Sequence, residues 1–146
     1  MKRLLLAAAD RDLLEVYRQI LGSRFGETVT AFDGTIVIAL LETEPFDLVI
    51  LDRELPRVEH RRLAARISEK KIPLIVLTAG PEGGEDREDE AGQAWLAYPF
   101  TPEEICETAA RLLSEEKEER EETAGRMLRE EPEAEAAGEK PETPEN

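Results

Sequence analysis

Apolar residues fall along this chain in short unbroken runs, separated by stretches where they recur every third or fourth position. Leu48 to Leu51 (LVIL) is the clearest run; with no polar alternation, it reads as a strand covered on both faces. Arg3 to Ala8 (RLLLAA), Leu74 to Leu77 (LIVL) and Ala94 to Ala97 (AWLA) are runs of the same kind, and Glu27 to Ala31 (ETVTA) is β-branched enough for a fifth strand. Between the first two strands, Leu13, Leu14, Tyr17, Ile20 and Leu21 keep helical spacing. Asp10 or Asp12 is placed to cap that helix and Gly22 to end it. FDG (Phe32 to Gly34) predicts a turn, and the apolar stretch Ile36 to Glu44 a second helix. Arg61 to Lys70 predicts a third, with Leu63, Ala64 and Ile67 inward, Arg62, Arg66 and Lys70 outward, and Pro73 breaking it. Gly80 to Glu90, with six acids and three glycines, suits a full helix poorly in its front half. Thr101 caps a final helix that opens on Pro102 and faces the core with Ile105, Ala109, Leu112 and Leu113.

Five strands alternating with five helical stretches predict an α/β fold: a doubly wound parallel sheet with helices on both faces and right-handed crossovers. In such sheets ligands bind outside the carboxyl ends of the strands, where strand order reverses. FDLVILDRELP (Phe46 to Pro56) sets its apolar run directly against Asp52 and then stops at Pro56, which has no N–H for a ladder. Asp52 is therefore either a site residue or a solvated acid in a loop. The ends of the first and fourth strands, Ala8 to Asp10 and Thr78, should converge on the same edge.

At 146 residues the chain holds one ordinary domain. Its net charge of -15 is uneven, because residues 115–146 carry 13 acids against 5 bases. An acidic balance argues against nucleic acid and against an anionic membrane surface as partners. Cys106, the only cysteine, excludes an intrachain disulfide and reads as a small buried hydrophobe. One histidine, His60, is expected at the surface and makes no metal cluster with a distant cysteine. The short apolar run Leu4 to Ala9 is no signal peptide and no run approaches the ~20 residues of a membrane span, so the expected location is cytoplasmic. There is no Gly-rich phosphate loop and no Ser/His or Cys/His set, and an enzyme is not expected.

Taken in order, several strings resemble a response-regulator receiver domain over residues 1 to about 114. FDLVILDRELP resembles the phosphoacceptor strand, with Asp52 as the aspartate. LIVLTA (Leu74 to Ala79) resembles the fourth strand, with Thr78 as the hydroxyl that contacts the phosphoryl group. AWLAYPF (Ala94 to Phe100) resembles the fifth, with Trp95 at the aromatic switch position and Pro99 after a bond that is cis in the family; VTAFDG (Val29 to Gly34) is a common family string. The resemblance implies a flavodoxin-like (βα)5 fold with strand order 2-1-3-4-5. It also implies a role in two-component phosphorelay signalling, with a histidine kinase or downstream effector as partner.

Three features depart from the family pattern. Ala8 and Ala9 stand where the first strand ends in two acids, the second a Mg2+ ligand. Asp10 falls one place later and reads better as the cap of the first helix. Tyr98 stands where a lysine pairs with the phosphoryl group, and His60 stands where a glycine is usual. Phosphoryl transfer depends on charge neutralisation by metal and cation, and Tyr98 offers a hydroxyl without charge. The expectation is a stand-alone, receiver-like module that binds a partner, with impaired Mg2+-dependent phosphorylation at Asp52. No metal is expected; Asp10 and Asp52 would be the ligands if there were one. The alternative is a competent response regulator phosphorylated on Asp52, with Mg2+ as cofactor. The partner is expected on the face of the fourth helix, fifth strand and fifth helix. Trp95 would be partly exposed as a switch and buried as core. Arg53, Arg57, Arg61, Arg62 and Arg66 form either a docking face for an acidic partner or a solvated, salt-bridged helix face.

Residues 115–146 read as a Glu-rich tail, a helical extension and then disorder from Pro132, with no room for an output domain. Its apolar face is gone beyond Ser114, and ordering it would cost about 1–2 kcal/mol per residue with little burial in return. Truncation after Leu128 should leave the thermal midpoint, followed by circular dichroism, nearly unchanged.

Overall fold

A computed structural model describes residues 1–79 and 92–115. The elements follow in the order β1 (Lys2–Ala7), α1 (Arg11–Arg24), β2 (Gly26–Ala31), α2 (Gly34–Thr43), β3 (Leu48–Asp52), α3 (His60–Glu69), β4 (Leu74–Thr78) and β5 (Gln93–Ala97). A last helix, α4, covers 102–115. The Gly80–Glu90 stretch, all but its first residue of the expected tail, and the tail's helix-then-disorder reading lie outside the described residues. The unit described below is Met1–Leu113. Among the described residues no helix is long and apolar enough to cross a membrane.

All five strands run parallel in the order β2-β1-β3-β4-β5. This is the doubly wound flavodoxin-like order. The unbroken apolar runs are explained by coverage on both faces. Leu4, Leu6, Leu48, Ile50, Ile75 and Leu77 pack toward one layer with Leu14 and Leu21 of α1 and Ile105, Ala109 and Leu112 of α4. Their neighbours Leu5, Val49, Leu51, Leu74 and Val76 pack toward the other, with Val37 and Leu41 of α2 and Leu63 and Ile67 of α3. The period of two in each strand thus serves two cores at once. Cys106 is buried in the first of these layers as a small hydrophobe.

The helix ends were largely written locally. Asp10 caps α1, its Oδ1 accepting from the N–H groups of Asp12 (3.0 Å) and Leu13 (3.2 Å). Thr101 and Glu104 form a reciprocal capping box at α4, with N–H to side-chain distances of 3.1 and 2.8 Å. Gly22, however, does not end α1. The helix runs on to Arg24, because the Phe25 N–H still reaches the Leu21 carbonyl (2.9 Å) and Phe25 packs on the core. The chain turns instead at Gly26, at φ +143, where a Cβ would lie 2.2 Å from the Lys2 carbonyl oxygen.

Gly34 is likewise not a turn residue; it is the first residue of α2, with Asp33 as the cap accepting from the Ile36 N–H at 3.0 Å. Its N–H donates to the Pro56 carbonyl at 2.8 Å, and a Cβ there would fall 2.1 Å from the Val58 Cβ. Asp33 also pairs with Arg57 Nε at 3.7 Å, and Arg57 holds a left-handed φ of 65. The start of α2 and the loop after β3 are therefore pressed together, backbone against side chain. Gly34→Ala should destabilise the domain by about 1–3 kcal/mol through overpacking, read as a lower urea midpoint.

Candidate functional site

β3 continues its ladder through Asp52, which registers with Leu77 of β4. Asp52 is two residues beyond Ile50, so its side chain turns to the α1 and α4 side of the sheet, at the carboxyl edge. There Oδ1 accepts from the Glu54 N–H at 2.9 Å, an Asx-type turn that holds the carboxylate against its own loop. Oδ2 faces the Tyr98 hydroxyl, which donates at 3.5 Å. Burial holds the Asp52 pKa above the ordinary carboxylate value against the lowering pull of the Glu54 N–H, while nearby Glu54 and Asp10 push it further up. The Tyr98 phenol is pushed up as well, first by burial and then by Asp52.

The other residues singled out from the sequence reach the same edge in different ways. Ala8 directly follows β1, fully buried in the α1-side core, and its N–H donates to the Ala31 carbonyl at 3.1 Å. Ala9 is exposed. Asp10 is near enough to act on Asp52 electrostatically but is committed to its cap. Thr78 is 1% exposed at the end of β4, with Oγ1 donating to the Leu96 carbonyl at 3.5 Å. The Tyr98–Pro99 bond is cis.

Trp95 leaves β5 on the other side of the sheet, packed against the α2–α3 core. It is partly buried, with the Arg53 guanidinium 5.6 Å above its ring and the His60 ring edge-on at 6.3 Å. His60 is thus partly buried against Trp95 and not the surface residue expected; burial, and then Arg53, lower its pKa. Two features escaped the sequence reading. One is the contact of Gly34 with Val58, whose only signal was a glycine inside FDG. The other is an aromatic stack, Tyr98 on Phe100 at 4.7 Å and Phe100 on Tyr17 at 5.7 Å, which ties the residue facing Asp52 to α1.

A parallel sheet of this order with an aspartate ending β3, a hydroxyl ending β4 and a cis proline after β5 defines a receiver-type signalling domain. The chain belongs to the response regulator receiver domain family, whose profile matches residues 4–109, and it is a receiver domain of two-component signalling. It is 36% identical over 93 residues to the transcriptional regulatory protein PdtaR of Mycobacterium tuberculosis, covering 62% of this chain and 44% of that one. It is 28% identical over 114 residues to the alkaline phosphatase synthesis transcriptional regulatory protein PhoP of Bacillus subtilis, covering 72% and 46%. The chain thus spans under half the length of these relatives. Among solved structures, a CheY-like receiver domain protein of Methanospirillum hungatei matches with a TM-score of 0.71 at 27% identity, covering 82% of this chain and 98% of that one. The response regulator TrrA of Thermotoga maritima, solved in complex with Mg2+ and BeF, matches with a TM-score of 0.68 at 28% identity, covering 77% and 99%.

The family implies Mg2+ beside the aspartate, and the residues present fit that ion poorly. Mg2+ asks for near-octahedral oxygen ligands, usually with one or two carboxylates among them. Both oxygens of Asp52 face a donor, and the Asp10 Oδ1 caps a helix. The described residues hold no group of three or more His, Cys, Asp or Glu suited to a metal. A carboxylate with a raised pKa lowers stability as pH climbs from its unfolded value through its folded one, because the folded state holds the proton more tightly. Asp52→Asn should therefore raise the thermal midpoint at pH 7 by a few degrees, and the gain over wild type should vanish as the pH falls below the unfolded carboxylate value, as scanning calorimetry across pH can read.

Proposed function

We propose that this receiver domain works by binding a signalling partner, with Mg2+-dependent phosphorylation at Asp52 impaired. The observation that carries the reading is the pairing of Asp52 with a neutral hydroxyl. Tyr98 occupies the place where a charge-neutralising lysine is expected and donates to the carboxylate over 3.5 Å. An incoming phosphoryl group would bring two negative charges to a partly buried carboxylate, and transfer needs those charges offset. At the end of β1, Ala8 supplies a buried methyl group where the family has an acid. The domain is on this reading a binding module and not an enzyme, and it needs no metal in its cytoplasmic setting. The partner is a histidine kinase or downstream effector. The face proposed for it includes β5 and α4, where Ala97, Glu103, Glu107 and Ala110 are exposed; the helix expected between β4 and β5 falls outside the described residues.

A second reading, a competent response regulator, is favoured by one observation: Asp52 and Thr78 stand at the carboxyl ends of paired neighbouring strands, as the chemistry requires. Incubation with a small phosphodonor, with and without Mg2+, followed by intact mass, separates the two. Wild type should label slowly or not at all. The triple variant Ala8→Asp, Ala9→Asp, Tyr98→Lys should label on Asp52 and depend on Mg2+. Ala8→Asp with Ala9→Asp alone should lower stability at neutral pH until Mg2+ is added, because added carboxylates crowd Asp52. Wild type labelling as fast as the triple variant, with Asp52→Ala abolishing it, would make the second reading the right one.

A further inference from the structure

Tyr98 meets Asp52 with its side chain alone. Its backbone is fixed to the sheet, because the Tyr98 N–H donates to the Thr78 carbonyl at 2.9 Å. From there the phenol reaches Asp52 Oδ2 at 3.5 Å, longer than an ordinary bond between two oxygens. A contact that long holds a ring only weakly, so packing decides where the phenol stands. The Glu54 N–H is bonded to the other oxygen, Oδ1. Whether Oδ2 is covered therefore depends on how the Tyr98 ring is placed.

Two further rings, from two different helices, set that placement. Phe100 lies 4.7 Å from Tyr98 between centroids, with the planes at 37°, and Tyr17 lies 5.7 Å from Phe100 at 55°. Both pairs fall in the range where offset and tilted aromatic rings attract. Each ring is anchored in turn. Phe100 directly precedes Thr101, the α4 cap, where Thr101 and Glu104 bond reciprocally. With the fully buried Ile105 in the first turn of α4, that is the placement of a hydrophobic staple, which fixes the angle at which the chain enters the helix. Tyr17 shares one flank of α1 with Leu13 and Ile20, and all three pack on the same core layer as Phe100 and Tyr98.

We infer that Phe100 and Tyr17 are positioning residues for the Asp52 site: through their stack they hold the Tyr98 hydroxyl over Oδ2. Anything that is to reach this oxygen has to move a ring that α1 and α4 keep in place. The residue that stands where a lysine is expected is thus a neutral cover, and the cover is anchored outside the site. The inference rests on the proposed reading of Tyr98 as a neutral partner of Asp52, and it adds which residues keep Tyr98 there.

The chain has two tyrosines, Tyr17 and Tyr98. Full-length protein made with 3-fluorotyrosine therefore gives one fluorine NMR signal from each end of the stack, and Tyr17→Phe assigns them. Asp52→Asn changes the group that faces the Tyr98 hydroxyl. It is expected to shift both signals, that of Tyr98 directly and that of Tyr17 through Phe100. In a Phe100→Leu chain the same Asp52→Asn change should shift neither, because the Tyr98 ring no longer stands at Oδ2. Tyr17→Leu should likewise abolish the Tyr98 shift, whereas Tyr17→Phe, which retains the ring, should preserve it. This second pair carries the test if Phe100→Leu does not fold. A Tyr98 shift that persists in full in either leucine variant would overturn the inference. So would a Tyr17 signal indifferent to Asp52→Asn in the otherwise native chain. Fast phosphodonor labelling of wild type would remove the proposed function and leave these signals as they are, so the two can fail separately.

Discussion

Coverage of the central strands on both faces is the constraint on which this structure depends. β1, β3 and β4 carry no polar side chain between Leu4 and Ala7, Leu48 and Leu51, or Leu74 and Leu77, and all of these residues are buried. A sheet with that content is stable only if helices close both sides, and the crossovers of a parallel sheet supply them. Short strands with both faces apolar leave polar chemistry one place to go, the edge where the strands end. Asp52 is the first residue of β3 that this burial releases, and it is released only in part.

That partial release shapes the chemistry of the edge. A carboxylate on the surface would be ionised and indifferent to its neighbours. At Asp52, burial raises the cost of charge, and two donors of different kind answer it, a backbone N–H and a phenol. Neither brings a positive charge. The phenol is itself held by stacking on Phe100, which packs on Tyr17 of α1. The state of the carboxylate is therefore mechanically connected to the α1–α4 layer, while Trp95 and His60 stand on the other side of the sheet and answer to α3. One strand, β5, carries both: successive side chains alternate faces, so Leu96 and Tyr98 serve the first layer and Trp95 the second.

Loops that press on each other hold the edge in place. Gly34 leaves no room for a side chain against Val58, and Arg57 adopts a left-handed backbone while reaching Asp33. The loop after β3 is thus anchored to the start of α2 by a hydrogen bond, an ion pair and a steric fit. Anchoring of this kind keeps the Asp52 turn in one geometry with few residues of its own.

The sequence by itself determined the strands, their parallel winding, the caps at Asp10 and Thr101, and the place of Asp52 at a strand end, because each of these is set by periodicity or by a local donor and acceptor. The resemblance carried by FDLVILDRELP, LIVLTA and AWLAYPF added the strand order, and the structure puts the Tyr98 hydroxyl opposite that aspartate. Only the tertiary structure decided where α1 ends, since Gly22 has the local signal but Gly26 has the neighbours that forbid a side chain. It decided too that Gly34 opens a helix against Val58, that His60 lies against Trp95, and that Arg57 and Arg66 pair with Asp33 and Glu42. Each of these depends on which residue from a distant part of the chain arrives alongside, with |i−j| of 24 for Arg66 and Glu42, and no local pattern records such a meeting.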